Sequence, residues 1–98
     1  MTAPAAAAAR LADQIARSVT GCPGVAGLAD GPVGTYLPGR VVPGVAVRDG
    51  ALEVAVVARY GVAITEVADQ VRAAVEPLAP GWPVDVRVED VAAGQQLA

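Results

Sequence analysis

Histidine, lysine and phenylalanine are all absent from this chain of 98 residues, which has one cysteine and one tryptophan. Each gap excludes something. Without His the chain lacks the usual base near neutral pH and the commonest metal ligand. A single cysteine, Cys22, makes no intrachain disulfide, and a reducing compartment suits it. Aromatics are 3% of the chain while hydrophobic residues are 54%, so the core is built from Val, Leu, Ile and Ala. These fill space in small increments, through contacts that are individually weak and numerous. The seven basic residues are all Arg, scattered at positions 10, 17, 40, 48, 59, 72 and 87, and the net charge is −3. Nucleic acid is not an expected partner, because binding it needs clustered cations that displace counterions from phosphates. Exclusive use of Arg beside abundant Ala, Val, Gly and Pro points to GC-rich coding sequence and says nothing of function.

Long apolar runs are also missing. The longest uncharged stretch, between Arg17 and Asp30, is broken by Gly and Pro. It falls well short of the roughly 20 apolar residues that a membrane-spanning helix needs. The segment from Met1 to Ala9 has neither a basic start nor a Leu-rich centre, so it does not read as a signal peptide. The expectation is a cytoplasmic protein that reaches a membrane only through a partner. The length fits one domain over 1–98, with 1–4 and 92–98 as frayed tails. A domain of this size buries a smaller fraction of its surface than a large one, so its stability is expected to be modest.

What is present reads as α+β. Ala8, Leu11, Ala12, Ile15 and Val19 share one face of a helix over Ala5–Val19, where Asp13 and Arg17 form an i,i+4 pair. Gly21 and Pro23 stop it. From Gly21 to Gly44, glycines interleave with Pro23, Pro32, Pro38 and Pro43, which reads as one short edge strand and a wandering loop. Val45–Val47 and Leu52–Ala58 are strands joined through Arg48-Asp49-Gly50, where Asp-Gly supplies the positive φ of a tight hairpin. Leu52, Val54, Val56 and Ala58 make a wholly apolar face. Tyr60-Gly61 ends that strand, and Gly50, Tyr60 and Gly61 are accounted for by turns and packing. A helix follows with Ile64, Val67, Ala68, Val71, Ala74, Val75 and Leu78 on its stripe and Thr65 as N-cap or first-turn residue. Val84, Val86 and Val88 then alternate with Asp85, Arg87 and Glu89, the pattern of a half-buried strand. The expectation is a single small two-layer domain in the order α-β-β-β-α-β. Its mixed sheet ends in a right-handed βαβ unit and its helices lie on one face. The last two strands are parallel, either as direct neighbours or with another strand between them.

Little of this carries chemistry. Cys22 and Ser18 have no base beside them in sequence, and Cys22 between Gly and Pro reads as a small turn residue. Glu66 with Asp69, and Glu89 with Asp90, are acidic pairs without an oxygen-ligand loop around them, so they read as solvated charge. The repeated Gly-x-x-Gly spacings from Gly21 to Gly34 lack the Lys and following helix of a phosphate loop, and the basic residues of a nucleic-acid-binding loop. No catalytic, metal or cofactor residue is assigned. Tyr36, Arg40 and Trp82 are the candidate partner contacts, although cover for one end of the core is the preferred reading of Trp82. A working surface, if distinct from the hairpin and βαβ unit, is expected in the loop from Gly21 to Pro43. The Pro-interrupted strand is a candidate edge for self-association, with its prolines serving to blunt it.

One resemblance rests on particular residues. Pro23-Gly24-Val25-Ala26-Gly27-Leu28 follows the first helix, and Gly44-Val45-Ala46-Val47 opens the hairpin. Arg59-Tyr60-Gly61 leads into Val62-Ala63-Ile64-Thr65-Glu66-Val67-Ala68-Asp69-Gln70-Val71-Arg72, and the chain closes on Val84-Asp85-Val86-Arg87-Val88-Glu89-Asp90-Val91. From about Leu11 to Val91 this resembles the alkaline shock protein family, the Gls-type envelope-stress proteins of Gram-positive bacteria. The match is strongest at Tyr-Gly with its isoleucine-led helix and in the final strand. It implies a cytoplasmic, non-enzymatic interaction or scaffold protein linked to envelope stress, which in some members is held at the membrane by a separate integral protein. It carries over no catalytic residue. The Pro/Gly-rich middle and short tail depart from the family pattern. The alternative is a small-molecule-binding or metabolic-enzyme accessory module.

Overall fold

In chain order the computed structural model, which describes residues 4–93, runs α1 (Pro4–Thr20), β1 (Val25–Leu28), β2 (Gly34–Leu37), β3 (Arg40–Pro43), β4 (Val45–Arg48), β5 (Ala51–Arg59), α2 (Ile64–Val75) and β6 (Val84–Ala92). The class is α+β, with two strands more than the sequence pattern suggests.

The period-2 apolar run of β5 makes it the centre of the main sheet. Antiparallel β4 pairs with its first half (Val45 opposite Val54) and antiparallel β1 with its second (Leu28 opposite Val56). β6 lies along the other side of β5 for its whole length, parallel and directly adjacent, from Leu52 opposite Val84 to Arg59 opposite Ala92. That settles the neighbour question left open by the sequence. The register slips between Val56 and Val57, where Glu89 is the unmatched residue of a bulge.

The stretch from Gly21 to Gly44 is more ordered than its composition suggests. It holds three strands, and β2 and β3 form a hairpin of their own (Thr35 opposite Val42). Its prolines and most of its glycines stand at corners or strand ends, and Gly27, inside β1, adjoins the register shift between Val25 and Gly27. Pro38-Gly39 is the hairpin turn, with Gly39 at φ 82°, and Pro43 ends β3. Gly44, at φ 81°, is the corner from hairpin to main sheet: its N–H donates to the Val33 carbonyl and its carbonyl accepts from Ala55. The Asp49-Gly50 turn has φ 38° and 79°, the two positive values of a tight hairpin.

Both helices pack on the face of β5 that carries Leu52, Val54, Val56 and Ala58. Ala12, Ile15 and Val19 of α1 meet Val67, Val71 and Val75 of α2 there, all fully buried. A smaller cluster of Ala29, Val33, Ala46 and Ala55 closes part of the opposite face. Each large apolar side chain buried this way contributes about 1.5–3 kcal/mol of transfer free energy before ordering entropy is subtracted. The α2 stripe is narrower than its sequence suggests. Ile64 stands 48% exposed in the first turn, and the N-cap is Ala63, which makes no side-chain cap; Thr65 is a first-turn residue. Tyr60 is 73% exposed, so packing does not explain it. On α1, Asp13 bonds Arg40 of β3 bidentately at 2.9 and 3.2 Å in place of Arg17, and this clasp ties the hairpin to the helix. The helix begins at Pro4, a residue assigned to a frayed tail by sequence, and β6 runs on to Ala92. The rest of both tails lies outside the described residues.

Candidate functional site

Two turns and the first half of α1 build an open concave surface. Gly81, at φ 78°, turns the chain after α2 and leaves Trp82 half-buried against the core, with its backbone N–H donated to the Ala79 carbonyl at 3.2 Å. On α1, Ala7 and Ala8 offer only methyl groups, so a trough remains where larger side chains would meet the sheet. Leu11 on α1, and Val47, Arg48 and Asp49 at the end of β4, close the other sides. The result is an open groove of about 800 Å3, mostly apolar, with Arg48 and Asp49 supplying charge at one end. Trp82 brings a broad apolar surface with one N–H, the kind of side chain that anchors partners.

The three candidate contacts therefore part company. Trp82 lines the groove. Tyr36 is 67% exposed on β2, its hydroxyl donating to the Pro32 carbonyl at 3.3 Å, and lies outside the groove lining. Arg40 is committed to Asp13: their hydrogen bonds, aided by the opposite charges, hold the Asp13 carboxyl pKa below, and the Arg40 guanidinium pKa above, their ordinary values. Sequence reasoning missed Ala7, Ala8, Leu11, Val47, Arg48 and Asp49. The available signal was the run of alanines on a helix face otherwise carrying Leu and Ile. The Gly-rich loop borders a cleft of about 30 Å3 between Ala29–Val33, Ala55 and Glu89.

Reactive chemistry is sparse. Cys22 is buried, its Sγ 3.5 Å from the Gln70 carbonyl and 3.7 Å from that of Ser18, and burial pushes its thiol pKa up. A thiol so placed stays protonated and is a poor nucleophile. Glu66 accepts from the Gln70 amide at 3.1 Å, and Asp90 accepts from the Val91 N–H at 2.8 Å. Among the described residues no three Cys, Asp or Glu side chains converge as a metal site, and no helix is long and apolar enough to cross a membrane.

A network of charge lies on the sheet face away from the helices. Arg87 of β6 reaches Glu53 of β5 at 2.7 Å and Asp85 at 3.7 Å, and Arg48 approaches Glu53 at 3.9 Å. Glu53 and Asp85 are register partners, so Arg87 relieves two like charges set opposite one another.

Comparison with family models, with curated proteins and with solved structures returned no match.

Proposed function

We propose that this chain is a non-enzymatic interaction module whose groove at Trp82 receives an apolar segment of a partner protein. The observation that carries the reading is the groove itself, an open apolar trough with a half-buried Trp as one wall and a charge pair at its rim. Apolar centres with polar rims are the ordinary anatomy of protein interfaces. The resemblance of Arg59–Arg72 and Val84–Val91 to alkaline shock proteins is what directs the proposal to the cell envelope. In this reading the partner is envelope-associated, an integral membrane protein that holds the chain at the inner face.

The test is capture from solubilised envelope fractions by the purified chain and by Trp82→Ala and Leu11→Asp variants. The expected result is an envelope protein retained by the native chain and lost from both variants, with far-UV circular dichroism unchanged. Deletion of the coding sequence is expected to raise sensitivity to alkaline or cell-wall stress. No loss of capture on altering the groove, together with unaltered stress sensitivity, would sink the reading.

The groove's size also supports the alternative, a small-molecule accessory module. At about 800 Å3 it falls within the roughly 300–1,000 Å3 of small-ligand sites. A ligand specific for the native state raises Tm, so a metabolite that does so in the native chain and not in Trp82→Ala would favour that reading.

A further inference from the structure

β6 leaves one long edge of the main sheet without a strand partner among the described residues. What that edge displays follows from the parallel ladder. Leu52 donates its N–H to the Pro83 carbonyl at 2.9 Å, and Leu52 is the register partner of Val84. In a parallel pair, hydrogen bonding alternates between residues. Asp85 and Arg87 therefore turn their N–H and C=O groups inward to β5, while Val84, Val86 and Val88 turn theirs outward. This open window is bounded on one side by Pro83, which has no N–H, and on the other by the bulge at Glu89.

We propose that this window pairs antiparallel with the same window of a second copy of the chain, about a two-fold axis through Val86. Hydrogen bonding and charge select that register together. With Val86 opposite Val86 of the second copy, Val84 falls opposite Val88, and every outward N–H and C=O of the three valines finds a partner. The intervening residues then place Asp85 of each copy opposite Arg87 of the other, at non-hydrogen-bonded positions where side chains come closest. Each Arg87, already 2.7 Å from Glu53 and 3.7 Å from Asp85 of its own chain, gains a third carboxylate from the other chain. Centring the pair on Arg87 instead would set Arg87 against Arg87 and Asp85 against Glu89, which like-charge repulsion disfavours. Centring it on Val88 would carry the pairing into the bulge. The half-buried stripe of Val84, Val86 and Val88 becomes continuous across the axis, and the two main sheets join as one. A two-fold contact of this kind closes on itself and stops at a dimer.

The proposal stands apart from the groove and is tested by sedimentation equilibrium on the whole chain. The native protein is expected to be a monomer–dimer system. Arg87→Asp is expected to weaken dimerisation roughly tenfold or more, and so is Asp85→Arg. An equimolar mixture of the two variants is expected to recover dimer, because each supplies the charge that the other needs. Val86→Pro removes an outward N–H and no bond to β5, so it is expected to give a monomer whose thermal melt stays cooperative. A native chain that is monomeric at several hundred micromolar overturns the proposal. So does a dimer that Val86→Pro leaves intact, failure of the mixture to recover dimer, or assembly that continues beyond two chains.

Discussion

Two single residues, Cys22 and Gly44, show how much of this protein is decided by close approach. The Cys22 thiol lies at the contact between α1 and α2, under carbonyls from both. Its pKa is raised by burial, so both its thiolate fraction and its access are low. A disulfide reagent such as DTNB is expected to label the folded chain far more slowly than the chain in denaturant, at a rate set by opening of the structure. Labelling as fast in the native state would place the thiol at the surface. At Gly44 a Cβ would stand 2.8 Å from the Ala55 carbonyl oxygen and 2.9 Å from the Leu28 Cβ, on a backbone already at φ 81°. Gly44→Ala is expected to cost about 2–3 kcal/mol, a left-handed penalty plus overpacking against backbone that cannot retreat. For a chain of this length that lowers Tm by about 10–20 °C, and a thermal melt reads it directly. The sequence marks Gly44 as a turn residue through its preceding proline. Its close approach to Leu28 and Ala55 depends on strands far apart in the chain, so only the fold reveals it.

At the scale of elements, legibility tracks periodicity. β5, α2 and β6 stand out because each buries one face against a single neighbour layer, and the residues on that face repeat at the period of the element. Between Gly21 and Gly44 each strand has four residues, too few to establish a period, and turn residues punctuate every gap. Composition there suggests a loop, and the pairing that overrides it is non-local. The start of α2 shows a different shortfall. Thr65 is a good capping residue, yet the chain enters the helix two residues earlier, at Ala63, whose φ of −61° and ψ of 140° are those of an N-cap. With Ala there, the first-turn N–H groups have no side-chain acceptor. Ala63→Asp adds one and sets a negative charge at the positive end of the helix dipole. It is expected to stabilise the protein by about 0.5–2 kcal/mol. Chemical denaturation should show this as a higher midpoint at unchanged m-value, and no rise in midpoint would mean that the cap does not form.

Over the described residues the molecule is a four-stranded sheet with two helices on it, to which the β2–β3 hairpin is attached as a second, smaller sheet. Neither the groove nor the open β6 edge could be read from sequence. The groove joins residues from α1, the β4–β5 turn and Trp82, and the edge is free only because β1 and β4 share the opposite side of β5. The attachment of the hairpin is equally non-local. It rests on burial of Val42 with Leu37 against the core, on a 2.6 Å bond from the Thr35 hydroxyl to the Val45 carbonyl, and on the Asp13–Arg40 clasp. Only the clasp titrates among these. Its Asp13 carboxyl has a folded pKa lowered below 3.8, chiefly by the Arg40 hydrogen bond, with burial opposing. A lowered carboxylate pKa means that the clasp contributes fully above the unfolded value and is lost as pH falls through the folded one. The window is therefore acid, below about pH 4. Arg40, whose pKa is raised chiefly by the same hydrogen bond, would lose its contribution only in strong alkali, far from this window. Both charges are solvent-exposed, so the effect is small, sensitive to salt and confined to the hairpin. Amide hydrogen exchange at neutral pH is expected to show β2 and β3 amides opening more readily in Asp13→Asn than in the native chain, by several-fold at most. Amides of β5 should keep their protection. Added salt should narrow the difference, and the native chain should come to match the variant once Asp13 is protonated. Equal acceleration in β5 would show instead that the hairpin and main sheet open as one unit, with the clasp merely one contact in a single cooperative core.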